Sequence, residues 1–412
     1  MTTLEQLKSA KNASRILRMA STKQKDLFLA KLADLVEKNQ EQILVENVKD
    51  LANASDITPA MKKRLALSAS SIQAIAQGVR DIIKLSDPVG QIVGQWERPN
   101  GMKVGKMRVP IGVIFFVFES RPNVIIDAAA LAIKAGNVLI ARGGKEAKYS
   151  NDIFEKIIMQ ALAEAGLPKD CATQLGDKSH EGIYEVLKYS EYVDLAVARG
   201  REQLINSVKE HARMPVIAHE RGLCHIYIDE FADLEKAVKI TINAKVSNPA
   251  VCNSAEVALV HEKVAEKVLP GLISGLIEKG VEVRGDKKVC AVDKRCSPAG
   301  ETDWDTEFLA LIMAVKVVKD LDEALLHIDK HGSRHSDTIV TENEANADRF
   351  VHEINNAATL VNASTRLVDG GVFGLGAEFG ISTASIHMRG PMGLEDLTVT
   401  KYFVLGDGQV RE

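Results

Sequence analysis

Cysteine is scarce in this chain: five residues, at 171, 224, 252, 290 and 296, odd in number, irregularly spaced and never in a C-x-x-C pair. That pattern argues against a zinc ribbon and a disulfide framework, and suits a reducing cytosol. No run approaches the ~18 apolar residues of a membrane-spanning helix. There is no polybasic tract, and the net charge is only −4, so neither nucleic acid nor an anionic membrane is an expected partner. The opening Met1-Thr2-Thr3-Leu4-Glu5 lacks the charged-then-apolar pattern of a signal peptide. Internal repeats, low-complexity segments and a G-x-G-x-x-G motif are also missing.

What is present is a long chain with ample core. Its 412 residues, 46% hydrophobic, suggest two domains or one large α/β unit with an insertion. The first ~90 residues read as helices; after Ser21-Thr22, Leu29, Leu32, Ala33 and Val36 recur at helical spacing. Short apolar runs then appear at 111–118, 138–140, 193–197, 223–228, 257–260 and 338–340. Helical stretches separate most of them, such as 122–135, with Pro122 near its start and Gly136 at its C-terminal cap. Alternation of this kind predicts an α/β fold with parallel sheets. The polar stretch 95–108, with a turn at Pro99-Asn100-Gly101, reads either as a protruding hairpin or as a surface loop.

Between a helical pattern and a strand pattern lies Ser247-Asn248-Pro249-Ala250-Val251-Cys252-Asn253-Ser254. A cysteine among small and polar residues on such a loop is placed as a nucleophile is, with backbone N–H groups free to face a substrate. Thiolate chemistry needs partial exposure and nearby donors. Cys224, inside the apolar run 223–228, and Cys290, beside Val289 and Ala291, read as buried. Cys171 falls in a turn-like stretch, and Cys296, after Lys294-Arg295, reads as a surface thiol of lowered pKa. Local chemistry leaves Cys252 as either the nucleophile or a small core residue.

Collinear segments extend this reading. They are Pro110–Ile114 with Phe118-Glu119-Ser120-Arg121-Pro122, Lys134–Asn137 with Arg142–Glu146, and the Cys252 loop with Ala255-Glu256. Further on come His331–Asp337, Val361–Arg366 with Gly370–Glu378, and Arg389–Glu395. On these segments the chain resembles the aldehyde dehydrogenase superfamily, and 331–337 and 389–395 resemble its acyl-phosphate-reducing branch.

The resemblance implies an architecture. A Rossmann-like cofactor-binding domain spans 1–245, with an oligomerisation hairpin at 95–108. A catalytic domain covers 246–361 and carries Cys252. Residues 362–412 return to the cofactor domain and end in a C-terminal oligomerisation segment, so a homo-oligomer, dimer or tetramer, is expected.

The implied reaction is NADPH-dependent reduction of L-glutamyl 5-phosphate to L-glutamate 5-semialdehyde in the cytoplasm, the second step of proline biosynthesis from glutamate. Cys252 would attack the acyl carbon and form a thioester. The oxyanion would be held by the Cys252 N–H and by Ser120 or Asn123. The position of the deacylating glutamate of hydrolytic relatives falls at Ala218, with His219 and Glu220 beside it as acid–base candidates or plain loop residues. Arg142, Gly143, Gly144 and Lys145 would bind the cofactor at a strand end, with Lys145 favouring a 2′-phosphate and hence NADP(H). Arg199 and Gly200 would lie near the pyrophosphate, and Glu307 at the nicotinamide ribose. Arg121, Arg334, His335 and Arg366 are candidates for the substrate's anionic groups. No metal site is expected, because Gly332 would break the helix that puts His327, His331 and His335 in one row. The kinase that makes the acyl phosphate, glutamate 5-kinase, is expected to be a separate protein and a candidate partner. A coenzyme A-acylating dehydrogenase and a silent cofactor-binding scaffold are the rival readings.

Overall fold

The computed structural model describes residues 1–54, 57, 59–119, 121–218, 221–386 and 388–411. The chain forms two compact units. The first is Met1–Ala218 with Gly374–Gly380 and Met392–Glu412; the second is His219–Phe373 with Ile381–Pro391.

In the first unit, five helices fill most of residues 3–83. Three of them open on complete capping boxes, Thr2 with Glu5, Ser21 with Gln24 and Ser68 with Ser71. A hairpin follows: β1 (Ile92–Glu97) pairs antiparallel with β2 (Lys103–Pro110), and the strand Thr398–Leu405 lies on the other side of β2. Trp96 and Tyr402 meet edge to face across it, with ring centroids 6.3 Å apart.

The strands β3 (Val113–Phe118), β4 (Val138–Gly143), β5 (Ala172–Gln174), β6 (Leu195–Arg199) and β7 (Val216–Ala218) then build a sheet in the order β5-β4-β3-β6-β7. All its pairings are parallel. Every residue of the central strand β3 is buried, as a parallel sheet covered on both faces requires. The neighbouring helix Val124–Lys134 is apolar almost all round and buried accordingly.

The second unit is a seven-stranded, wholly parallel sheet. Its strands are β8 (Cys224–Ile228), β9 (Ala255–His261), β10 (Glu282–Gly285), β11 (Ser297–Pro298), β12 (Ile312–Val318), β13 (Ser336–Val340) and β14 (Ala358–Val361). They run in the order β11-β10-β12-β9-β8-β13-β14. Side chains alternate between two cores. Ile226, Ala258 and Val260 face the helices Leu234–Val246 and Glu262–Glu278. Tyr227, Val257 and Leu259 face Leu321, Ala324, Ile328 and Phe350 on the opposite side.

Candidate active site

Parallel strands begin at a common edge, and this places the second unit's candidate residues. Glu307 precedes β12, Cys252 precedes β9, Gly222 precedes β8, and Arg334-His335 precedes β13. Those four strands are consecutive in the sheet, spaced at about 4.8 Å.

Cys252 is half-buried on the turn between the helix Leu234–Val246 and β9, packed against the small core of Leu360, Val368 and Ile381. Its carbonyl accepts the Cys224 thiol at 3.2 Å. Gly222 lies flat on the Cys252 peptide: a Cβ there would stand 1.9 Å from the Cys252 carbonyl oxygen. The Gly222 N–H donates to Glu307 Oε1 at 2.9 Å. One glycine therefore touches both the candidate nucleophile and the candidate ribose carboxylate. Burial raises the pKa of Glu307, while the Gly222 N–H opposes that shift.

Asn253 ties the loop down. Its Nδ2 donates to Val368 O at 2.9 Å, and its carbonyl accepts Thr365 Oγ1 at 2.7 Å. Arg366 braces both ends of the loop, with Nε on Ser247 Oγ at 2.9 Å and Nη1 on Asn253 Oδ1. Both acceptors are neutral, so the guanidinium brings net positive charge to the Cys252 loop.

The other thiols are unsuited to nucleophilic work. Burial raises Cys171 to about 12, and pushes fully buried Cys224 well above the usual thiol range. Cys296 differs from its sequence reading: it is buried, and desolvation lifts it to about 11. Cys290 differs too, being half-buried, with its thiol on Gly285 O at 3.4 Å.

Arg334 takes a left-handed φ of 59° and donates to Ser385 Oγ at 3.2 Å. His335 is fully buried, its Nδ1 2.7 Å from Ser336 Oγ and 3.7 Å from the Cys224 sulfur. It therefore lies under the loop rather than on its surface. The helix Leu321–His331 ends at Gly332, which separates His335 from His327 and His331. Among the described residues, no group of three or more His, Cys, Asp or Glu could hold a metal ion.

In the first unit the candidates gather at the opposite kind of edge, where β3, β4 and β6 end side by side. That is where open parallel sheets bind ligands. Arg121 and Asn123 follow β3, Arg142–Lys145 close β4, and Arg199-Gly200 close β6. A Cβ on Gly143 would come within 2.2 Å of the buried Asn151 amide, and one on Gly144 within 2.2 Å of the Glu146 carboxylate, which would have to swing aside. The half-buried Arg142 donates to Lys178 O at 2.8 Å, and its buried Nε has no partner among the described residues. Desolvation lowers its pKa. Lys145 is exposed beside it. Close backbone, an unsatisfied guanidinium N–H and a free lysine together fit a phosphorylated dinucleotide.

Asn123 donates its amide to Asp127 Oδ2 at 2.9 Å, and desolvation lifts Asp127 to about 6. Ser120, His219 and Glu220 lie outside the described residues. Sequence reasoning missed Gly222, Asp127 and the buried Lys245–Glu256 pair. A single glycine, or charges of ordinary composition, give no local signal of what they will touch.

The aldehyde dehydrogenase family profile matches residues 3–284, and the chain belongs to that family. Its relatives narrow the comparison. A Clostridium perfringens protein named gamma-glutamyl phosphate reductase is 48% identical over 406 residues, 98% of each chain. One of the same name from Aquifex aeolicus is 46% identical over 418 residues, covering 99% of this chain and 96% of its own. The crystal structure of gamma-glutamyl phosphate reductase from Thermotoga maritima matches with a TM-score of 0.96 at 42% identity, all of both chains being covered.

Proposed function

We propose that this chain reduces L-glutamyl 5-phosphate to L-glutamate 5-semialdehyde and phosphate with NADPH, a step of proline biosynthesis from glutamate. The observation that carries the reading is end-to-end identity of 46–48% to proteins named for that reaction. A thiol loop braced by Arg366 and Gly222 supports it.

The Cys252 sulfur forms a bond to the acyl carbon as the carbon–oxygen bond to phosphate breaks, and the electron pair leaves with phosphate. When bound, NADPH would supply a hydride to the acyl carbon of the resulting thioester; the carbon–sulfur bond then breaks, its electron pair returns to the Cys252 sulfur, and the aldehyde leaves. Negative charge builds on the carbonyl oxygen, and the Cys252 N–H is the first donor for it. Asn123, its amide oriented by Asp127, and Ser120 are the candidates for the second. Arg366 offers its remaining N–H groups to an anionic group of the substrate; Arg121 and Arg334 are further candidates, while His335 supports the floor of the loop. Ala218 carries no carboxylate, so no base at that position activates water against the thioester.

Lys145 and Arg142 are the residues to hold a 2′-phosphate, which favours NADPH over NADH. The sheet β1-β2 with Thr398–Leu405 exposes Trp96, Tyr402, Val404 and Leu405, the composition of an oligomer contact. The chain works as a cytoplasmic homo-oligomer, with a glutamate 5-kinase as the source of its acyl phosphate.

The test is the reverse reaction: glutamate semialdehyde, phosphate and NADP⁺, followed by NADPH absorbance. Activity that requires phosphate and disappears in folded Cys252→Ala is the expected result. Activity without phosphate would make the chain a hydrolytic dehydrogenase, and activity only with coenzyme A would make it an acylating one.

A further inference from the structure

We infer that Lys245 and Glu256 are positioning residues, whose buried ion pair closes the base of the Cys252 loop and fixes it to the segment carrying Glu307. The inference rests on the roles proposed above for Cys252 and Glu307.

Lys245 lies in the last turn of the helix Leu234–Val246, before Cys252; Glu256 is the second residue of β9, after it. Lys245 Nζ and Glu256 Oε2 are 2.6 Å apart, and both side chains are fully buried. The pair thus clasps the two ends of the loop that presents the thiol. Each partner also reaches a third segment. Lys245 Nζ donates to Ala310 O at 3.3 Å, and the Leu309 N–H donates to Glu256 Oε1 at 3.4 Å. Leu309 is held there at a left-handed φ of 51°, a conformation that a branched side chain keeps only where its surroundings over-determine it.

These contacts close a circuit. From the Cys252 loop it runs through Lys245–Glu256 to Leu309 and Ala310, back along the chain to Glu307, through the Gly222 N–H, and from Gly222 onto the Cys252 peptide. Apart from its covalent links, the ring consists of the fully buried ion pair, three partly buried hydrogen bonds and one backbone contact. Such a ring fixes a distance: that between the sulfur and the carboxylate proposed to hold the nicotinamide ribose.

A stabilising role alone explains the pair poorly. Burial pushes the Lys245 ammonium's pKa down and the Glu256 carboxyl's up to about 7, so desolvation works against both charged forms and each partner's charge offsets only part of it. Apolar residues of similar size usually serve a core as well or better. A charged pair at this one place, with both partners bonding onward to the same loop, sets geometry that an apolar contact would leave loose.

The test separates geometry from stability by removing both charges together in the full chain, as Lys245→Met/Glu256→Leu. Three quantities are read: the melting temperature, the NADPH dissociation constant by fluorescence titration, and the iodoacetamide alkylation rate of Cys252. Alkylation is followed by peptide mass spectrometry, with the half-buried Cys290 as internal reference.

The expected result is a melting temperature at or above wild type, with NADPH affinity weakened at least about fivefold. Cys252 alkylation shifts by at least a similar factor, while Cys290 alkylation is unchanged. A folded double variant with wild-type affinity and wild-type Cys252 reactivity would overturn the inference. Should the double variant not fold, Glu256→Asp decides, because it keeps the charge and withdraws the carboxylate by one methylene. The same two shifts support the inference, and their absence sinks it. None of these readouts needs turnover. A wild type that binds NADPH but does not reduce glutamyl phosphate therefore counts against the proposed function, and not against this ring.

Discussion

Replacing Gly222 by alanine should damage catalysis far more than folding. The added Cβ would stand 1.9 Å from the Cys252 carbonyl oxygen and 2.4 Å from both its carbonyl carbon and its Cα. Ordinary contact begins near 3.4 Å, so one backbone must retreat by roughly 1.5 Å, a displacement large on the scale of catalytic geometry. All three opposing atoms are main chain, and no side chain can swing aside to absorb the clash. The Gly222 N–H bond to Glu307 moves with it.

Overpacking of this kind costs about 1–3 kcal/mol, or a fall of roughly 2–12 °C in melting temperature for a unit of this size. A nucleophile displaced by about 1 Å loses on the order of a hundredfold in rate. The assay is kcat in the phosphate-dependent reverse reaction, beside the alkylation rate of Cys252. Gly78→Ala is the matched control: it lies in the helix Ala69–Ile83 with nothing within 4 Å of its Cβ. It should keep full activity and gain about 0.5–1 kcal/mol of stability. A folded Gly222→Ala enzyme with wild-type kcat would refute the idea that this glycine sets the position of the thiol.

Lys145→Glu should raise KM for NADPH by about tenfold or more and improve use of NADH, with little change in kcat; equal NADPH kinetics in variant and wild type would remove Lys145 from the cofactor site. Arg366→Lys keeps the charge but loses the planar fork that reaches Ser247 and Asn253, and kcat/KM for the acyl phosphate should fall about 10- to 100-fold with NADPH affinity intact. Unchanged kcat/KM would make Arg366 a bystander. His327 is held neutral down to about pH 2, chiefly by burial and then by electrostatic repulsion from its neighbours, Lys316 among them. The unfolded chain takes up that proton below about pH 6.5, so this group makes stability fall as pH drops from 6.5, by roughly 2 kcal/mol at pH 5. Urea melts at pH 8 and pH 5 should show a loss smaller by that amount in His327→Leu, and equal losses in both proteins would contradict the assignment.

The strands most legible in the sequence were those whose apolar runs are continuous. Val113–Phe118 is buried on both faces and reads as one block, and the runs at 138–140, 193–197 and 223–228 mark real strands for the same reason. Ile312–Val318 escaped notice because Lys316 interrupts it; in the fold that lysine reaches Glu323 and His327. Glu282–Gly285 and Ser297–Pro298 are short strands at the sheet's periphery, with too few apolar residues to show a period.

The site divides along a similar line. Cys252, Arg366 and the Arg142–Lys145 turn were visible because their residue types announce chemistry. Gly222 and the Lys245–Glu256 pair act through what they touch across tens of residues of chain, and composition carries no trace of that. Cys296 shows the converse error. Two preceding cations suggested a reactive thiol, yet the fold turns the sulfur inward, and desolvation outweighs the nearby Arg295. Local charge predicts reactivity only at positions the fold leaves open. At Cys252 the fold leaves the thiol half-exposed and brings Arg366 to the loop from more than a hundred residues away. The sequence neighbourhood could nominate the nucleophile, but only the tertiary structure supplies the cation bonded to the loop residue that follows it.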